Sequence, residues 1–146
     1  MRRLVEDAGM SELVTVDSAG TDAWHSGDGA DRRSLASLAD GGYAEGSTHR
    51  ARRFEPEWLQ DRDLVIALDR GHLRKLRALT RDATDRDRVQ LLRSFDDTAP
   101  ADADVADPYY GGDDGFAEVL RQIERGCRGL LDAVTLVLPA ATSPRR

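Results

Sequence analysis

Residues 63–69 read Asp63-Leu64-Val65-Ile66-Ala67-Leu68-Asp69, five consecutive apolar residues between two aspartates. An unbroken apolar run of this length is typical of a parallel strand that helices cover on both faces. We therefore predict a strand over residues 63–69. A helix should follow it, because three leucines recur at helical spacing: Leu73, Leu76 and Leu79.

Strands and helices alternate on both sides of this run. Further strands are predicted at 13–16, which leads into a small-residue turn, and at 89–92. Helices are predicted at 2–8, with Gly9 as its left-handed C-terminal cap, at 31–39, from Pro56 and from Asp113 to Val134. The last of these is amphipathic, with apolar residues at Phe116, Val119, Leu120, Ile123, Cys127, Leu130, Leu131 and Val134. This alternation predicts an α/β fold with a parallel sheet between two layers of helices.

Composition and charge restrict the class of protein. The 146 residues fit one domain, 40% of them are hydrophobic and 33% charged. No apolar run approaches the roughly 20 residues of a membrane span, and Glu6 and Asp7 interrupt the start before a signal-peptide core could form. A net charge of −6 argues against a broad nucleic-acid surface. We expect neither a membrane nor a nucleic-acid partner.

The cysteine and histidine content bears on redox compartment and metals. Cys127 is the only cysteine, so no internal disulfide can form and a cytoplasmic location is expected. The three histidines, His25, His49 and His72, lack metal-ligand spacing. We therefore predict no metal and no cofactor.

Three segments carry a resemblance to a known family. They are Val16-Asp17-Ser18-Ala19-Gly20-Thr21, Ser47-Thr48-His49-Arg50-Ala51-Arg52 and Asp107-Pro108-Tyr109-Tyr110-Gly111. In order and spacing they resemble low-molecular-weight protein-tyrosine phosphatases. The resemblance implies one domain over residues 1–138, with a three-layer fold around a four-stranded parallel sheet of order 2-1-3-4. Residues 139–146 are expected to form a disordered tail.

The resemblance also implies a set of site residues. Asp107 matches the family's general acid, which Pro108 would hold in extended geometry; the alternative is a carboxylate that only caps a turn. Tyr109, Tyr110 and Trp24 match aromatic walls for an aryl phosphate, although each could instead be an ordinary packed or loop aromatic. Ser18 and His49 match residues that support the phosphate loop from behind. The substrate implied is a tyrosine-phosphorylated protein or a small aryl phosphate.

One departure separates the sequence from the family pattern. The family begins with a strand and a C-x5-R-[ST] loop, whose cysteine forms a phosphocysteine, and these 146 residues contain neither. Cys127 falls on the apolar face of a helix and cannot replace that nucleophile. We expect the chain as given to lack the central first strand, to be inactive and to fold poorly alone. A start site placed too far downstream, a truncated gene, or a phosphoprotein-binding pseudophosphatase would each explain it. An arsenate reductase would need more cysteines.

Overall fold

Two short parallel strands form the sheet in the computed structural model, β1 (Val65–Ala67) and β2 (Val89–Leu91). Val65 pairs with Val89 and Ala67 with Leu91. The structure describes residues 1–43, 45–109 and 113–138. The predicted tail at 139–146 lies outside the described residues. The α/β class and the parallel sheet are confirmed.

Six α-helices accompany these strands in the described residues: α1 (Arg2–Asp7), α2 (Arg32–Asp40), α3 (Trp58–Asp61), α4 (Arg70–Arg77), α5 (Ala83–Asp87) and α6 (Asp113–Val137). Short 3₁₀ helices occupy Glu45–Thr48 and Leu92–Phe95. Gly9 follows α1 with φ of 68°, the left-handed conformation expected from the sequence. The sequence prediction missed α5, because its five residues have no apolar face.

The hydrophobic core has two parts, one on each face of the sheet. One cluster joins the strands to α3 and α4 through Leu59, Val65, Ala67, Leu76, Val89 and Leu91. The other lies mainly beneath α6, where Leu92, Val105, Cys127 and Leu130 are buried and Met1, Leu4 and Ile66 pack against them. Side chains of one strand therefore alternate between two helical layers.

The strand predicted at 13–16 is absent, and that prediction was wrong. The amides of Leu13 and Val14 donate to the carbonyl of Met10 in a turn, and Arg2 Nε donates to the carbonyl of Val16 at 2.9 Å. A strand needs a neighbouring strand for its amides and carbonyls, whereas these groups find local partners instead. An open cleft of about 220 Å³ lies between α1 and this segment.

The strand predicted at 63–69 is shorter than expected. Only Val65–Ala67 pair as a strand, and Leu64 and Leu68 are 37% and 42% exposed. The prediction that both faces are covered along the whole run was therefore wrong at its ends. Leu64 and Leu68 share a side of the strand with Ile66, which reaches the cluster beneath α6. That helical layer does not extend over the two leucines.

Candidate active site

An acidic loop, predicted by the aspartate-rich residues 96–107, is anchored at the carboxyl end of β1. The amide of Val105 donates to the carbonyl of Leu68 at 2.8 Å, which extends the strand direction into the loop. One residue earlier, Asp104 Oδ1 accepts the amide of Arg70 at 2.8 Å, at the start of α4. Ligands of open parallel sheets bind outside the carboxyl ends of the strands. The loop that carries Asp107 therefore begins where such a site is expected.

Asp107 is exposed and lies in a tight turn of its own. Its Oδ1 accepts the amide of Tyr109 at 2.9 Å across Pro108, an Asx turn that fixes one carboxylate oxygen. Within the described ranges Oδ2 has no hydrogen-bond partner. The turn-capping and proton-transfer interpretations of Asp107 are thus compatible, since a different oxygen would serve each.

Of the two tyrosines predicted to line the site, the structure describes Tyr109. Tyr109 is 59% exposed, with the guanidinium of Arg33 5.4 Å from its ring centroid. It is an accessible aromatic surface beside Asp107 rather than a packed residue. Tyr110 lies outside the described residues.

Trp24 is 89% exposed, more than any other large hydrophobic residue that the structure describes. It lies in the turns of residues 21–27. The amide of Gly27 donates to the carbonyl of Ala51 at 2.8 Å and so joins these turns to the segment that contains His49. The sequence offered a pocket wall or a half-buried loop tryptophan. The indole is exposed rather than half-buried, and its place in a turn is compatible with a loop tryptophan as well as with a pocket wall.

Ser18 and His49 lie in neighbouring segments. Gly20 and Arg53 form a parallel bridge, and the amide of Gly20 donates to the carbonyl of Arg52 at 2.8 Å. Both Ser18 and His49 are exposed. Among the residues that the structure describes, the Ser18 hydroxyl and the His49 ring make no hydrogen bond, so the contacts that a supporting role needs are not made there.

Sequence reasoning missed an ion-pair cluster immediately before Ser18. Asp17 Oδ2 accepts from Arg62 Nη2 at 2.6 Å and from Arg52 Nη2 at 2.7 Å. The hydrogen bond from Arg62 is the main reason why the pKa of Asp17 is lowered. Arg52 also lies 4.6 Å from the ring centroid of Trp58. Arg52 is therefore exposed but held in place between Asp17 and the ring of Trp58.

Cys127 lies within α6 and is 7% exposed, packed in the cluster beneath that helix. This agrees with its prediction as a core residue. A thiol in such surroundings is inert, because the reactive form is an exposed thiolate.

The described residues contain neither a cluster of metal ligands nor a helix fit to span a membrane. No group of three or more His, Cys, Asp or Glu side chains there could hold a metal ion. No described helix combines the length and apolarity of a membrane span.

Parallel strands between two helical layers define an α/β domain, and the loop that carries Asp107 and the exposed Tyr109 starts beside the carboxyl end of β1. Residues 1–137 match the family described as low molecular weight phosphotyrosine protein phosphatase. The chain belongs to this family, which confirms the resemblance seen in the sequence.

Individual relatives agree with this assignment. A low molecular weight protein-tyrosine-phosphatase of Streptomyces coelicolor is 54% identical over 134 residues, covering 91% of this chain and 80% of that protein. Low molecular weight protein-tyrosine phosphatase A of Mycobacterium tuberculosis is 45% identical over 127 residues, covering 86% and 74%. A protein tyrosine phosphatase of Entamoeba histolytica shares the fold, with a TM-score of 0.85 at 24% identity and coverage of 92% and 84%.

Proposed function

We propose that this chain carries the general acid of a phosphotyrosine phosphatase, and that Asp107 is that acid. The proposal rests on the different hydrogen bonding of the two carboxylate oxygens of Asp107. Oδ1 is held by the amide of Tyr109 at 2.9 Å, and Oδ2 has no partner in the described parts of the chain. A carboxyl group held by one oxygen can offer the other to a leaving group in a fixed direction.

The proposed reaction has two steps. A cysteine thiolate attacks phosphorus and the phenolate leaves, taking a proton from Asp107. Water then attacks the phosphocysteine, with Asp107 as base, and inorganic phosphate and the thiolate are released. Backbone amides and an arginine of the nucleophile loop would hold the phosphoryl oxygens.

The nucleophile is proposed to come from outside the 146 residues. The sequence contains one cysteine, and Cys127 is buried in α6. Because that thiol cannot meet an external phosphate, the chain as given is proposed to be inactive by itself. A C-x5-R-[ST] loop ahead of α1 would complete the site and supply the nucleophile.

The substrate is proposed to be a tyrosine-phosphorylated protein or a small aryl phosphate, in a reducing, cytoplasmic compartment. Tyr109, Tyr110 and Trp24 would provide aromatic surfaces for the phenyl ring. Ser18 and His49 would support the phosphate loop, their exposed side chains meeting it once it is in place. No metal or cofactor takes part in this proposal.

The complete domain is proposed to have four parallel strands in the order 2-1-3-4, with residues 1–138 as its greater part. The first strand would lie between residues 13–16 and β1. The exposure of Leu13, Leu64 and Leu68, at 46%, 37% and 42%, supports a missing neighbour, as does the cleft beside residues 14–16. Residues 13–16 would then have the partner that a strand requires.

A second candidate is a phosphoprotein-binding module without turnover. The burial of the only cysteine favours it for a native product that begins at Met1. The arsenate reductase alternative is weaker, because resolving its intermediate requires further thiols.

The deciding experiment is to determine the N-terminus of the native protein by intact mass and terminal peptide sequencing, and to assay it with phosphotyrosine. A longer product with a C-x5-R-[ST] loop and phosphatase activity is expected. A native product that begins at Met1 would leave the binding module as the function. For that product, adding a strand, a C-x5-R-[ST] loop and a helix start ahead of Met1 should create activity if the remaining site is intact.

A further inference from the structure

Arg33 in the first turn of α2 is fixed by the residue that caps that helix. Asp31 accepts the amide of Arg33 through Oδ1 at 2.8 Å. The same carboxylate accepts from the guanidinium, with Nε to Oδ1 and Nη2 to Oδ2 at 3.3 and 3.2 Å. A two-point contact with a carboxylate sets both the position and the plane of a guanidinium. Contacts within the first turn of α2 therefore fix the orientation of the Arg33 side chain.

The guanidinium then bridges two distant parts of the chain. Arg33 Nη1 donates to the carbonyl of Tyr109 at 3.2 Å, although the two residues are 76 positions apart. Its central carbon lies 5.4 Å from the Tyr109 ring centroid and 4.6 Å from that of Phe116, which is buried in α6. Both distances lie within the range of cation–π attraction. We call these contacts with Tyr109 and Phe116 the Arg33 clamp.

The clamp acts on the residue that holds Asp107. Tyr109 is tied on both sides of its backbone, since its carbonyl accepts from Arg33 and its amide donates to Asp107 Oδ1 at 2.9 Å. Movement of the Tyr109 backbone would therefore redirect the Asp107 carboxylate. A misplacement of a catalytic group by about 1 Å can lower the rate by roughly 100-fold.

We propose that Arg33 is a positioning residue that holds the Asp107–Tyr109 turn in the orientation needed for proton transfer to the leaving phenolate. This inference rests on the proposed role of Asp107. It adds a residue on α2 to a site otherwise built at the carboxyl end of β1. Arg33 itself contacts neither substrate nor reacting atoms in this proposal.

The chain provides a matched control at the preceding residue. Arg33→Met keeps an unbranched apolar side chain beside Phe116 but removes the donors and the charge. Arg32→Met removes the same groups from an exposed neighbour on α2 that has no polar contact in the described residues. Arg33→Lys keeps the charge without the planar fork, so we expect an intermediate effect.

The experiment measures kcat and KM of the full-length native protein with two substrates, together with amide hydrogen exchange. With phenyl phosphate, Arg33→Met should lower kcat by roughly 10- to 100-fold and change KM little. With p-nitrophenyl phosphate the loss should be smaller, because that leaving group needs less protonation. Exchange of the Tyr109 amide should accelerate while amides of the sheet stay unchanged. Arg32→Met should do none of these.

A double-mutant cycle distinguishes positioning from a general structural role. In an Asp107→Asn background, Arg33→Met should cause no further loss with phenyl phosphate, because the group it orients is gone. An undiminished loss in that background would overturn the proposal, and so would unchanged Tyr109 exchange. If the native protein has no phosphatase activity, the proposed function fails, and the exchange rate alone then decides whether the clamp exists.

Discussion

The backbone carbonyl of Phe95 lies against Gly129 of α6, so close that a side-chain Cβ at position 129 would overlap with the oxygen. The contact joins the 3₁₀ helix Leu92–Phe95, which follows β2, to the long C-terminal helix. At the neighbouring Gly126 a Cβ would come 2.8 Å from the side chain of Leu92 and 3.0 Å from its carbonyl oxygen, a tight contact rather than an overlap with backbone. Both glycines are needed for the close approach of two backbones, rather than for an unusual backbone conformation.

We expect Gly129→Ala to destabilise the protein by about 3 kcal/mol, because backbone atoms cannot move aside as a flexible side chain can. The free energy of unfolding in urea measures this effect. Gly115→Ala in the same helix is the control, since its Cβ would meet Pro108 at an ordinary 3.5 Å. That variant should keep or slightly raise stability through its better helix propensity. Equal urea concentrations at the unfolding midpoint of the two variants would contradict the packing argument.

The features that the sequence predicts well have their cause within the element itself. The apolar periodicity of α6 and of α4 comes from neighbours three or four residues away, and both helices appear near their predicted positions. The left-handed Gly9 directly after α1 is equally local. Amphipathic helices and caps can therefore be identified from one sequence.

The features that the sequence predicts poorly depend on distant partners. Residues 13–16 have a strand-like composition, but a strand forms only beside another strand, and these residues turn back on Met10 instead. Arg33 looks like any surface arginine until Tyr109, 76 positions away, is brought beside it. Asp107 could be predicted as a candidate acid because its motif is local, whereas the contact between Arg33 and Tyr109 could not.

A second prediction concerns Asp17 and pH. Arg62 and Arg52 lower its folded-state pKa, so its contribution to stability is present above the unfolded pKa and is lost as pH falls through the folded pKa. Asp17→Asn should therefore cost about 1 kcal/mol at pH 7, a value kept small because the pairs are partly exposed, and almost nothing at strongly acidic pH. Thermal unfolding across pH tests this. Asp63→Asn, at an exposed residue without a polar partner in the described parts, is the control and should change stability little at pH 7.

A third prediction concerns the buried carboxylate of Asp96, which is 5% exposed. Its Oδ1 accepts the Thr98 hydroxyl at 2.6 Å and its Oδ2 lies 3.2 Å from Arg125 Nε. The Thr98 hydrogen bond is the main cause that lowers the Asp96 pKa. Asp96→Ala should destabilise by about 3 kcal/mol, because it leaves buried donors unpaired.

Asp97→Ala is the control for this prediction, since Asp97 is adjacent, exposed and without a partner in the described residues. Chemical denaturation should separate the two variants clearly. A loss in Asp96→Ala no larger than in Asp97→Ala would show that the network contributes little to stability.

The last prediction concerns the proposed acid itself. Asp107→Asn in the full-length native protein should lower kcat for phenyl phosphate by roughly 10²- to 10⁴-fold, because the poor leaving group then departs without a proton. The loss should be much smaller with p-nitrophenyl phosphate. The asparagine can still accept the Tyr109 amide through its oxygen, so the turn that now holds Oδ1 should survive and thermal stability should change little. Asp97→Asn, exposed in the same acidic loop, should leave both rates unchanged. Equal losses with the two substrates would contradict proton donation by Asp107 and favour its role as a turn cap alone.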